Sequence, residues 1–453
     1  MYQSDIFSIQ GKNMNKKLIA LLLCFVMVIG VGCSSNDTKD EDSQTSNVTD
    51  TNGKAKNQKV KITFLNTKGE IQAHLEEVAK DFTNEKGIEL EIIPCGAGQS
   101  PFEKMTSMYA SGNAPTLSMM DVGDLPKFKD KMLDLSSEKW VNDAMAGSLD
   151  VATIDNELLA FPFAVEGFGL IYNKETIENA TGESFDHNTI TTRDDLKNLF
   201  KKIEAGGTAP IIISPLDWSL GAHYTSIAYA AEGKNLNGIN SIMDNLKTAK
   251  LDLHTNTTFN SLIDTFDLLS NYNLDKEDPL SGTYDTGAEA VSTGKSAFWF
   301  MGNWAWPQIQ ELSNGKGEFG FIPVPLDIEG TSNKLAAGPT KYVAVDSEQS
   351  TQEQQNAALT FLNWLVYEET GQNGLINKCS IIPAFLNINK APEDTLAKSI
   401  IDYIGRGETI PMVLTFPSDY WKEVGAYMQK YLAKYSNREQ LFDEIETYWK
   451  NSK

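Results

Sequence analysis

Residues 60–93, VKITFLNTKGEIQAHLEEVAKDFTNEKGIELEII, contain the pattern of one complete folding unit. Residues 60–65 and 88–93 are short apolar runs bounded by polar residues and are predicted strands. Between them, apolar residues recur at helical spacing from Ile71 to Glu85, and Gly87 is a suitable helix stop. A strand, a helix and a second strand in this order predict parallel α/β construction.

A further helix and strand are predicted at residues 102–110 and 117–120, so the alternation continues. In parallel α/β sheets, ligands collect beyond the carboxyl ends of the strands. Four polar residues lie at these predicted ends: Asn66, Lys68, Asp121 and Asp124. Asn66, Asp121 and Asp124 are therefore candidate ligand-binding residues, although each one taken alone also fits an ordinary solvated loop.

The composition excludes several classes of function. The chain has 453 residues, of which 39 are Lys or Arg and 61 are Asp or Glu, for a net charge of −22. Such a chain lacks the basic surface that nucleic acids or anionic lipids require, so we expect no nucleic-acid partner. Four Cys exclude a disulfide-dense scaffold, and four His leave little room for a histidine-rich metal site.

The N-terminus has the pattern of an export signal. An uncharged apolar run, Leu18–Val31, follows Lys16 and Lys17 and is too short to span a bilayer. A basic start, a short apolar run and small residues at its end are typical of a secretory signal peptide, which we assign to residues 1–32.

Cys33 follows this signal directly, in the sequence Gly32-Cys33-Ser34. The arrangement resembles the lipobox of bacterial lipoproteins, which implies that Cys33 becomes the mature N-terminus and carries acyl chains such as palmitate. Two acyl chains on one residue give stable membrane anchoring. Residues 33–58 have few apolar side chains and are predicted to be a disordered tether. We therefore expect a protein lipid-anchored to the extracytoplasmic face of the cell membrane.

Common catalytic motifs are missing from the sequence. It contains no His-Glu-x-x-His, Gly-x-Ser-x-Gly or Cys-x-x-Cys pattern. Gly294-Lys295-Ser296 is similar to the end of a phosphate-binding loop, but Glu289 stands where that loop needs its first glycine. We predict no catalytic residue, no metal and no cofactor, while an acid/base pair of carboxylates stays open in so acidic a chain.

The most aromatic segment is Phe298–Trp306, FWFMGNWAW. Large aromatic rings pack on the apolar C–H faces of sugars, and Asp, Glu or Asn side chains bind the hydroxyl rims. Gly302, in the middle, indicates a turn or a close backbone approach. We therefore predict sugar-binding roles for a Trp- and Asn-containing set: Trp218, Asn303, Trp304 and Trp306. Packing of these Trp residues in a core is the alternative.

Several segments resemble the maltose-binding-protein-like family 1 of bacterial extracellular solute-binding proteins. The similarity is most specific in Leu158–Lys174, LLAFPFAVEGFGLIYNK, and Phe298–Ile309, FWFMGNWAWPQI. It runs collinearly over residues 59–450 and includes the tail segment Gly407–Trp421. The resemblance implies an α/β, two-lobed periplasmic-binding-protein fold of type II, the Venus-flytrap architecture, with three hinge crossings.

The resemblance also implies roles for single residues. Glu166 occupies the position of a sugar-binding glutamate just after the crossing strand, and Trp304 that of a stacking tryptophan. Either Tyr420 or Trp421 falls where a second stacking tryptophan is found.

The remaining implied contacts come from two other segments. Either His223 or Tyr224 falls near an aromatic contact, for which Trp218 is a possible substitute. Asp121 and Asp124 lie in a loop that supplies an acidic contact.

The implied lobes are formed by discontinuous segments. Residues 59–165 plus 326–385 form the N-terminal lobe, and residues 166–325 plus 386–453 form the C-terminal lobe. The three crossings are expected near Phe163–Gly167, Ile322–Leu326 and Ile382–Asn389.

The implied function is that of a monomeric, lipid-anchored receptor. It binds a carbohydrate, either a di- or an oligosaccharide, between its lobes and delivers it to the permease subunits of an ABC transporter. Two alternatives stay open. One is a receptor for a non-sugar solute such as a peptide or a polyamine, and the other is a secreted carbohydrate-active hydrolase, which needs two carboxylates at catalytic separation.

Overall fold

The computed structural model describes residues 60–96, 99–145, 147–331, 333–413 and 415–452. The predicted signal peptide, the predicted acylation site Cys33 and the predicted tether lie outside these residues. No helix in this part of the chain is both long and apolar enough to cross a membrane. Cys95 and Cys379 are free thiols.

The described residues form strands and helices in alternation. The strands are β1 (Lys61–Asn66), β2 (Glu89–Pro94), β3 (Leu117–Asp121), β4 (Thr153–Ile154), β5 (Glu157–Leu158), β6 (Phe161–Asn173), β7 (Ala209–Ile212), β8 (Ser296–Gly302), β9 (Phe319–Ile322), β10 (Leu335–Val345) and β11 (Thr409–Ile410). The helices are α1 (Gln72–Lys86), α2 (Pro101–Ala110), α3 (Leu125–Phe128), α4 (Lys174–Thr181), α5 (Arg193–Ala205), α6 (Thr225–Gly233), α7 (Leu236–Lys247), α8 (Thr257–Asn271), α9 (Tyr284–Ser292), α10 (Trp306–Leu312), α11 (Gln352–Tyr367), α12 (Glu369–Asn373), α13 (Thr395–Gly405), α14 (Tyr420–Leu432) and α15 (Arg438–Asn451).

The segment that opens the described chain folds as its sequence predicts. β1 and β2 pair in parallel, with Phe64 opposite Ile92, and α1 connects them. Gly87 ends α1 with a left-handed φ of 71°, a conformation that glycine adopts without the steric cost of a Cβ atom. α2 and β3 also lie where we expect them, so the α/β alternation is confirmed.

One large sheet holds every described strand except β4 and β5, which pair with each other. Its order is β2-β1-β3-β10-β6-β8-β7, with β9 paired to β6 and β11 paired to β10. β3 is parallel to β1, whereas β10 is antiparallel to both β3 and β6. Two strands that are far apart in the sequence, β6 and β10, therefore lie side by side in the middle of the sheet.

The apolar core is divided along these two strands. In β6, Phe161 belongs to a first cluster, Val165 to a third and Phe168 to a second. In β10, Tyr342 belongs to the first cluster and Ala336 to the second. Each strand thus runs out of one core into another. The lobe boundaries given by the sequence stay predictions.

β6 and β10 pair antiparallel, from Phe168 opposite Ala336 to Phe161 opposite Val343. The register shifts on both sides of Lys341. Such a bulge bends a strand locally and changes the direction of the side chains beside it.

The predicted crossings differ from the structure at one place. Phe163–Gly167 lies within β6, and the Val165 N–H donates to the Ile382 carbonyl at 2.9 Å. The segment Ile322–Leu326 only ends β9, a four-residue strand that pairs with the far end of β6. Ile322, Val324 and Leu326 all belong to the second cluster, so the chain does not leave that core here. β10 makes the passage instead, from Ala336 in the second cluster to Tyr342 in the first.

Gly169 in β6 has no room for a side chain. A Cβ there would lie 2.7 Å from the Ile322 carbonyl oxygen and 2.8 Å from Leu335 Cδ1. Because a carbonyl in a paired strand moves only at a cost, we expect Gly169→Ala to lower the free energy of unfolding by about 1–3 kcal/mol in chemical denaturation. Gly405→Ala is the matched control, since no atom lies within 4 Å of its would-be Cβ. Equal losses in both variants would contradict the close-packing argument.

Candidate ligand-binding site

Five polar side chains from four different segments lie near one another at the middle of the sheet, in two contacting sets whose charges act on each other. They follow β1, end β3 or lie within β6 and β10: Lys68, Asp121, Glu166, Thr340 and Lys341. We call these five residues the polar cluster. The carboxyl ends of the parallel strands thus gather polar groups at one place, as the strand pattern predicts.

Lys68 and Glu166 form an ion pair that is almost completely buried, with exposed fractions of 5% and 6%. Lys68 Nζ donates to Glu166 Oε1 and lies 2.6 Å from Glu70 Oε1. The Thr340 hydroxyl donates to Glu166 Oε2 over 2.5 Å. Both oxygens of the Glu166 carboxylate are therefore engaged by the protein itself.

Burial and pairing act in opposite directions on this ion pair. Burial raises the pKa of a carboxyl group and lowers that of an ammonium group. For Glu166, the Lys68 and Lys341 charges outweigh burial, so its pKa lies below its ordinary value. For Lys68, the Glu166 and Glu70 carboxylates outweigh burial, so its pKa is raised. Both groups are charged at neutral pH.

Asn66 holds the loop that carries Lys68. Its carboxamide oxygen accepts a hydrogen bond from the Lys68 backbone N–H at 2.9 Å. Its nitrogen donates to the Lys68 carbonyl and to Gln72 Oε1, each at 2.9 Å. Asn66 therefore lies at the site, where its side chain is fully buried and fixes the position of the Lys68 ammonium.

A second ion pair lies between Lys341 of β10 and Asp121 at the end of β3. Burial acts to lower the pKa of Lys341, but the Asp121 and Glu166 carboxylates outweigh it and the pKa is raised. Asp121 is more open, with 53% of its side chain exposed. Asp124 instead pairs with Lys127 at 3.2 Å. Of these two predicted acidic residues, the structure brings Asp121 into the polar cluster.

Four aromatic rings also lie together: Phe168, Trp218, His223 and Trp304. We call them the aromatic box. The His223 ring stacks on Phe168, with centroids 4.9 Å apart and an interplanar angle of 16°. Trp304 lies 5.0 Å and Trp218 5.3 Å from His223. Trp218, His223 and Trp304 are each partly exposed. The structure thus brings three predicted binding residues into one group.

The aromatic box faces the polar cluster. Burial lowers the pKa of His223 to about 4, and the charges that act on its ring belong to Glu166, Lys341 and Asp121. The ring centroid of Tyr284 lies 6.4 Å from that of Trp218. Burial raises the pKa of the Tyr284 hydroxyl, and the Glu70 carboxylate of the loop after β1 raises it further. Because the His223 ring is neutral at pH 7, the aromatic box is an uncharged surface.

Trp218 and His223 are positioned by a turn of π-helix, Ser219–Tyr224. Such wide turns are rare and frequently occur at functional sites. Gly221 in this turn packs directly on α14, because a Cβ there would overlap the carbonyl of Trp421. Contact with α14 therefore fixes the turn that presents the two rings.

Trp304 is positioned by the residues just before it. Gly302 ends β8, and Asn303–Ala305 form a short 3-10 turn. A Cβ on Gly302 would overlap the Trp304 ring, so the close approach predicted at this glycine is confirmed. The Asn303 carboxamide oxygen accepts a hydrogen bond from the Gly167 N–H at 3.0 Å.

Besides Asn66, Asp124 and Asn303, three more predicted residues belong to neither the polar cluster nor the aromatic box. Trp306 is buried, and its ring lies 6.2 Å from that of Phe319. Tyr420 is fully buried and stacks on Phe416 at 4.0 Å. Its neighbour Trp421 is 40% exposed. Ligand binding by these three residues stays a prediction.

Sequence reasoning did not select Thr340 and Lys341. The sequence signal is Gly338-Pro339 between the apolar runs 335–337 and 342–345, since proline within a sheet is confined to edges and bulges. Phe168 was also not selected, although it lies in the crossing segment next to Glu166.

One set of metal-binding side chains lies elsewhere, on α15 and the loop before α8. The ligand atoms of Asp252, His254 and Glu446 lie within 4.8 Å of one another. Glu446 Oε1 accepts a hydrogen bond from the Leu253 N–H, and Oε2 lies 3.1 Å from Lys450 Nζ. Because protein donors already engage this carboxylate, we assign no metal to these residues.

Separate apolar cores joined by paired crossing strands, with polar and aromatic side chains meeting at the crossing, define a hinged binding protein. The family profile described as "Bacterial extracellular solute-binding protein" matches residues 77–399. This match spans more than half of the chain. The chain belongs to the bacterial extracellular solute-binding protein family.

Solved structures share the fold. A structure of SBP RafE in complex with raffinose has a TM-score of 0.70 at 18% identity and covers 86% of this chain and 99% of that one. A sugar transporter from Bacillus licheniformis in complex with stachyose has a TM-score of 0.65 at 19% identity, covering 86% and 99%. A chitin oligosaccharide binding protein has a TM-score of 0.66 at 18% identity, covering 86% and 98%. The expected two-lobed periplasmic-binding-protein fold is confirmed.

The buried ion pair predicts a strong effect of Lys68→Met. The variant leaves the Glu166 carboxylate buried without its cation, so we expect the free energy of unfolding to fall by about 3–5 kcal/mol at pH 7. The double variant Lys68→Met/Glu166→Gln should recover much of this loss, because an amide needs no counter-charge. Lys61→Met, at an exposed lysine, is the control and should change stability little.

The same pair predicts an opposite pH dependence in the two proteins. In the wild type the folded-state pKa of Glu166 is lowered, so the stability it contributes is present above the unfolded pKa of about 4.3 and is lost as pH falls below it. In Lys68→Met, burial of Glu166 without the Lys68 cation raises the pKa of the Glu166 carboxyl group. Protonation of Glu166 at low pH then removes the unpaired buried charge and stabilises the variant. The stability gap measured by urea denaturation should therefore narrow from pH 7 to pH 4, and a constant gap would contradict the charge argument.

Proposed function

We propose that this protein is an extracellular, lipid-anchored receptor that binds a neutral oligosaccharide between its lobes and delivers it to the permease of an ABC transporter. One observation carries the proposal: partly exposed aromatic rings face a cluster of fixed polar side chains across one site. A sugar has both an apolar face and a polar rim, so it uses both surfaces at once.

The aromatic box suits the faces of sugar rings. Trp218 and Trp304 lie 6.2 Å apart at an interplanar angle of 61°, so they present two differently oriented surfaces. Trp421 follows the helix start on which the π-helical turn packs, and its exposed ring makes it the better second stacking residue of the pair Tyr420 and Trp421. Several aromatic surfaces fit a ligand of more than one sugar unit.

The polar cluster favours a ligand without charge. Among the described residues of the site, Lys68 is paired with Glu166 and Glu70, and Lys341 with Asp121. An ionised ligand would have to displace one of these partners and leave a charge unpaired, which is costly in a buried site. Hydroxyl groups at the open side of Asp121 and Lys341 require no such exchange.

The solved structures named above support the same ligand class, since their titles name raffinose, stachyose and a chitin oligosaccharide. Membership of the extracellular solute-binding family supports export and a role in uptake. In this proposal Cys33 is acylated, residues 33–58 tether the receptor, and the two lobes close around the sugar. Closure follows from better ligand contacts in the closed state.

Catalysis is not part of the proposal. The Glu166 carboxylate is held between Lys68 and Thr340, and its pKa is lowered, which is unsuited to a general acid. A receptor returns its sugar unchanged, whereas a hydrolase does not, so chromatography of the sugar after incubation separates the two.

Ligand binding is tested by thermal shift and calorimetry on the purified protein. We expect stabilisation by an uncharged oligosaccharide among raffinose, stachyose and chitin oligosaccharides, by roughly 2.7 kcal/mol at 100 times the Kd. Trp304→Ala should weaken that binding by about 2 kcal/mol or more, roughly 30-fold. Trp140→Phe is the matched control, since Trp140 is fully buried in the first core.

Two outcomes would count against a neutral sugar. Stabilisation by a peptide or a polyamine alone would favour the non-sugar receptor. Binding of an oligosaccharide only when it carries uronic acids would contradict the charge argument drawn from the polar cluster.

Anchoring is tested with Cys33→Ser in a bacterium grown with labelled palmitate. We expect the wild-type protein to carry the label and to sediment with membranes, because a dually acylated residue gives stable anchoring. The variant should lose the label and appear in the soluble or secreted fraction. Cys24→Ser, inside the predicted signal peptide, is the control and should keep the label. A labelled Cys33→Ser protein would refute acylation at this residue.

A further inference from the structure

β6 changes its hydrogen-bonding partners along one edge within five residues. The Val165 N–H donates to a carbonyl of the third crossing segment, and Gly169 is paired with β8. Between them, the Gly167 N–H donates to a side chain, the carboxamide oxygen of Asn303, at 3.0 Å. A single asparagine therefore fills the gap between two backbone partners.

This gap lies where β6 passes from one core to another. Phe163 and Ala164 belong to the first cluster, whereas Phe168 and Ile171 belong to the second and third, which take alternate residues of the same stretch of β6. If β8 paired with β6 for one residue more, backbone hydrogen bonds between the two strands would extend to the place where β6 passes between the cores. A side-chain acceptor satisfies the Gly167 N–H, which would otherwise be an unfavourable buried donor, and still ends the ladder at Gly302.

Asn303 also begins the turn that presents Trp304. Its backbone carbonyl accepts the N–H of Trp306, which closes the 3-10 turn. The Trp304 ring lies over Gly302, the residue on the other side of Asn303. The side chain of Asn303 is thus hydrogen-bonded to β6 next to Glu166, while its backbone begins the turn that carries the Trp304 ring.

We propose that Asn303 is a positioning residue that couples the hinge strand β6 to the Trp304 ring. The inference rests on the proposed function, in which Trp304 stacks on the sugar. The Gly167 peptide directly follows Glu166. A rotation of β6 at this point is therefore transmitted through the Gly167–Asn303 hydrogen bond to the 3-10 turn that carries Trp304. Asn303 acts through this bond and not as a ligand contact, the role that the sequence predicts for it.

The test separates the oxygen of the carboxamide from its nitrogen. Asn303→Asp keeps an acceptor for the Gly167 N–H and loses the amide donor, whereas Asn303→Ala loses both. Asn173→Ala is the matched control, because Asn173 makes side-chain hydrogen bonds at the far end of the same strand. Two readouts need no sugar: hydrogen exchange of the Gly167 amide relative to the Phe64 amide, and the indole N–H signal of Trp304 by NMR.

We expect Gly167 exchange to be about tenfold faster in Asn303→Ala and close to wild type in Asn303→Asp and Asn173→Ala. The Trp304 signal should shift in Asn303→Ala only. Unchanged Gly167 exchange, or an unchanged Trp304 signal, in Asn303→Ala would overturn the coupling.

Raffinose and stachyose titrations add a third readout. We expect Asn303→Ala to bind about tenfold more weakly than wild type and Asn303→Asp to bind almost as well. Equal losses in both variants, with wild-type Gly167 exchange, would make the amide nitrogen a ligand contact and overturn the inference. If no sugar binds even the wild type, the proposed function fails, and the two sugar-free readouts still decide whether Asn303 couples β6 to Trp304.

Discussion

The antiparallel pairing of β6 with β10 organises the part of the chain that the structure describes. All thirteen residues of β6 are buried, and their side chains enter three different core clusters. Close packing at the crossing leaves little choice of residue. A Cβ on Gly167 would lie 3.0 Å from Ile400, and one on Gly169 would press on β9. The passage between the cores is therefore tightly packed.

The buried charges at this crossing serve the site more than the stability of the fold. Removing Lys68 and Glu166 from water is costly, and their attraction with the help of Thr340 and Glu70 does little more than offset that cost. The ion pair fixes the relative positions of three segments. The loop after β1, the middle of β6 and the bulge of β10 meet at the Glu166 carboxylate. These segments together form a polar surface with fixed hydrogen-bond donors, which a solvated surface loop could not supply.

Local sequence patterns predicted the elements but not all of the site. β1, α1 and β2 follow from spacing over a few residues, and the approach of Trp304 to its own backbone follows from Gly302. Thr340 and Lys341 depend on a bulge that exists only once β10 pairs with a strand about 170 positions earlier. Tyr420 and Trp421 could have been separated, because Tyr420, Val424 and Met428 share the buried face of α14 at helical spacing, whereas Trp421 faces away from it.

The two halves of the site have different chemistry, which gives closure a physical basis. Lys68 and Asp121 come from the β1 and β3 side of the sheet, whereas Trp218, His223 and Trp304 come from segments packed with the second and third clusters. A sugar stacked on the rings alone leaves its outer hydroxyls in water, and one bound to the charges alone leaves its apolar face uncovered. In the proposed closure, both surfaces meet the sugar at once, so both its hydroxyls and its apolar face are covered. This difference in contacts between the open and closed states is what a ligand needs in order to favour one hinge angle over another.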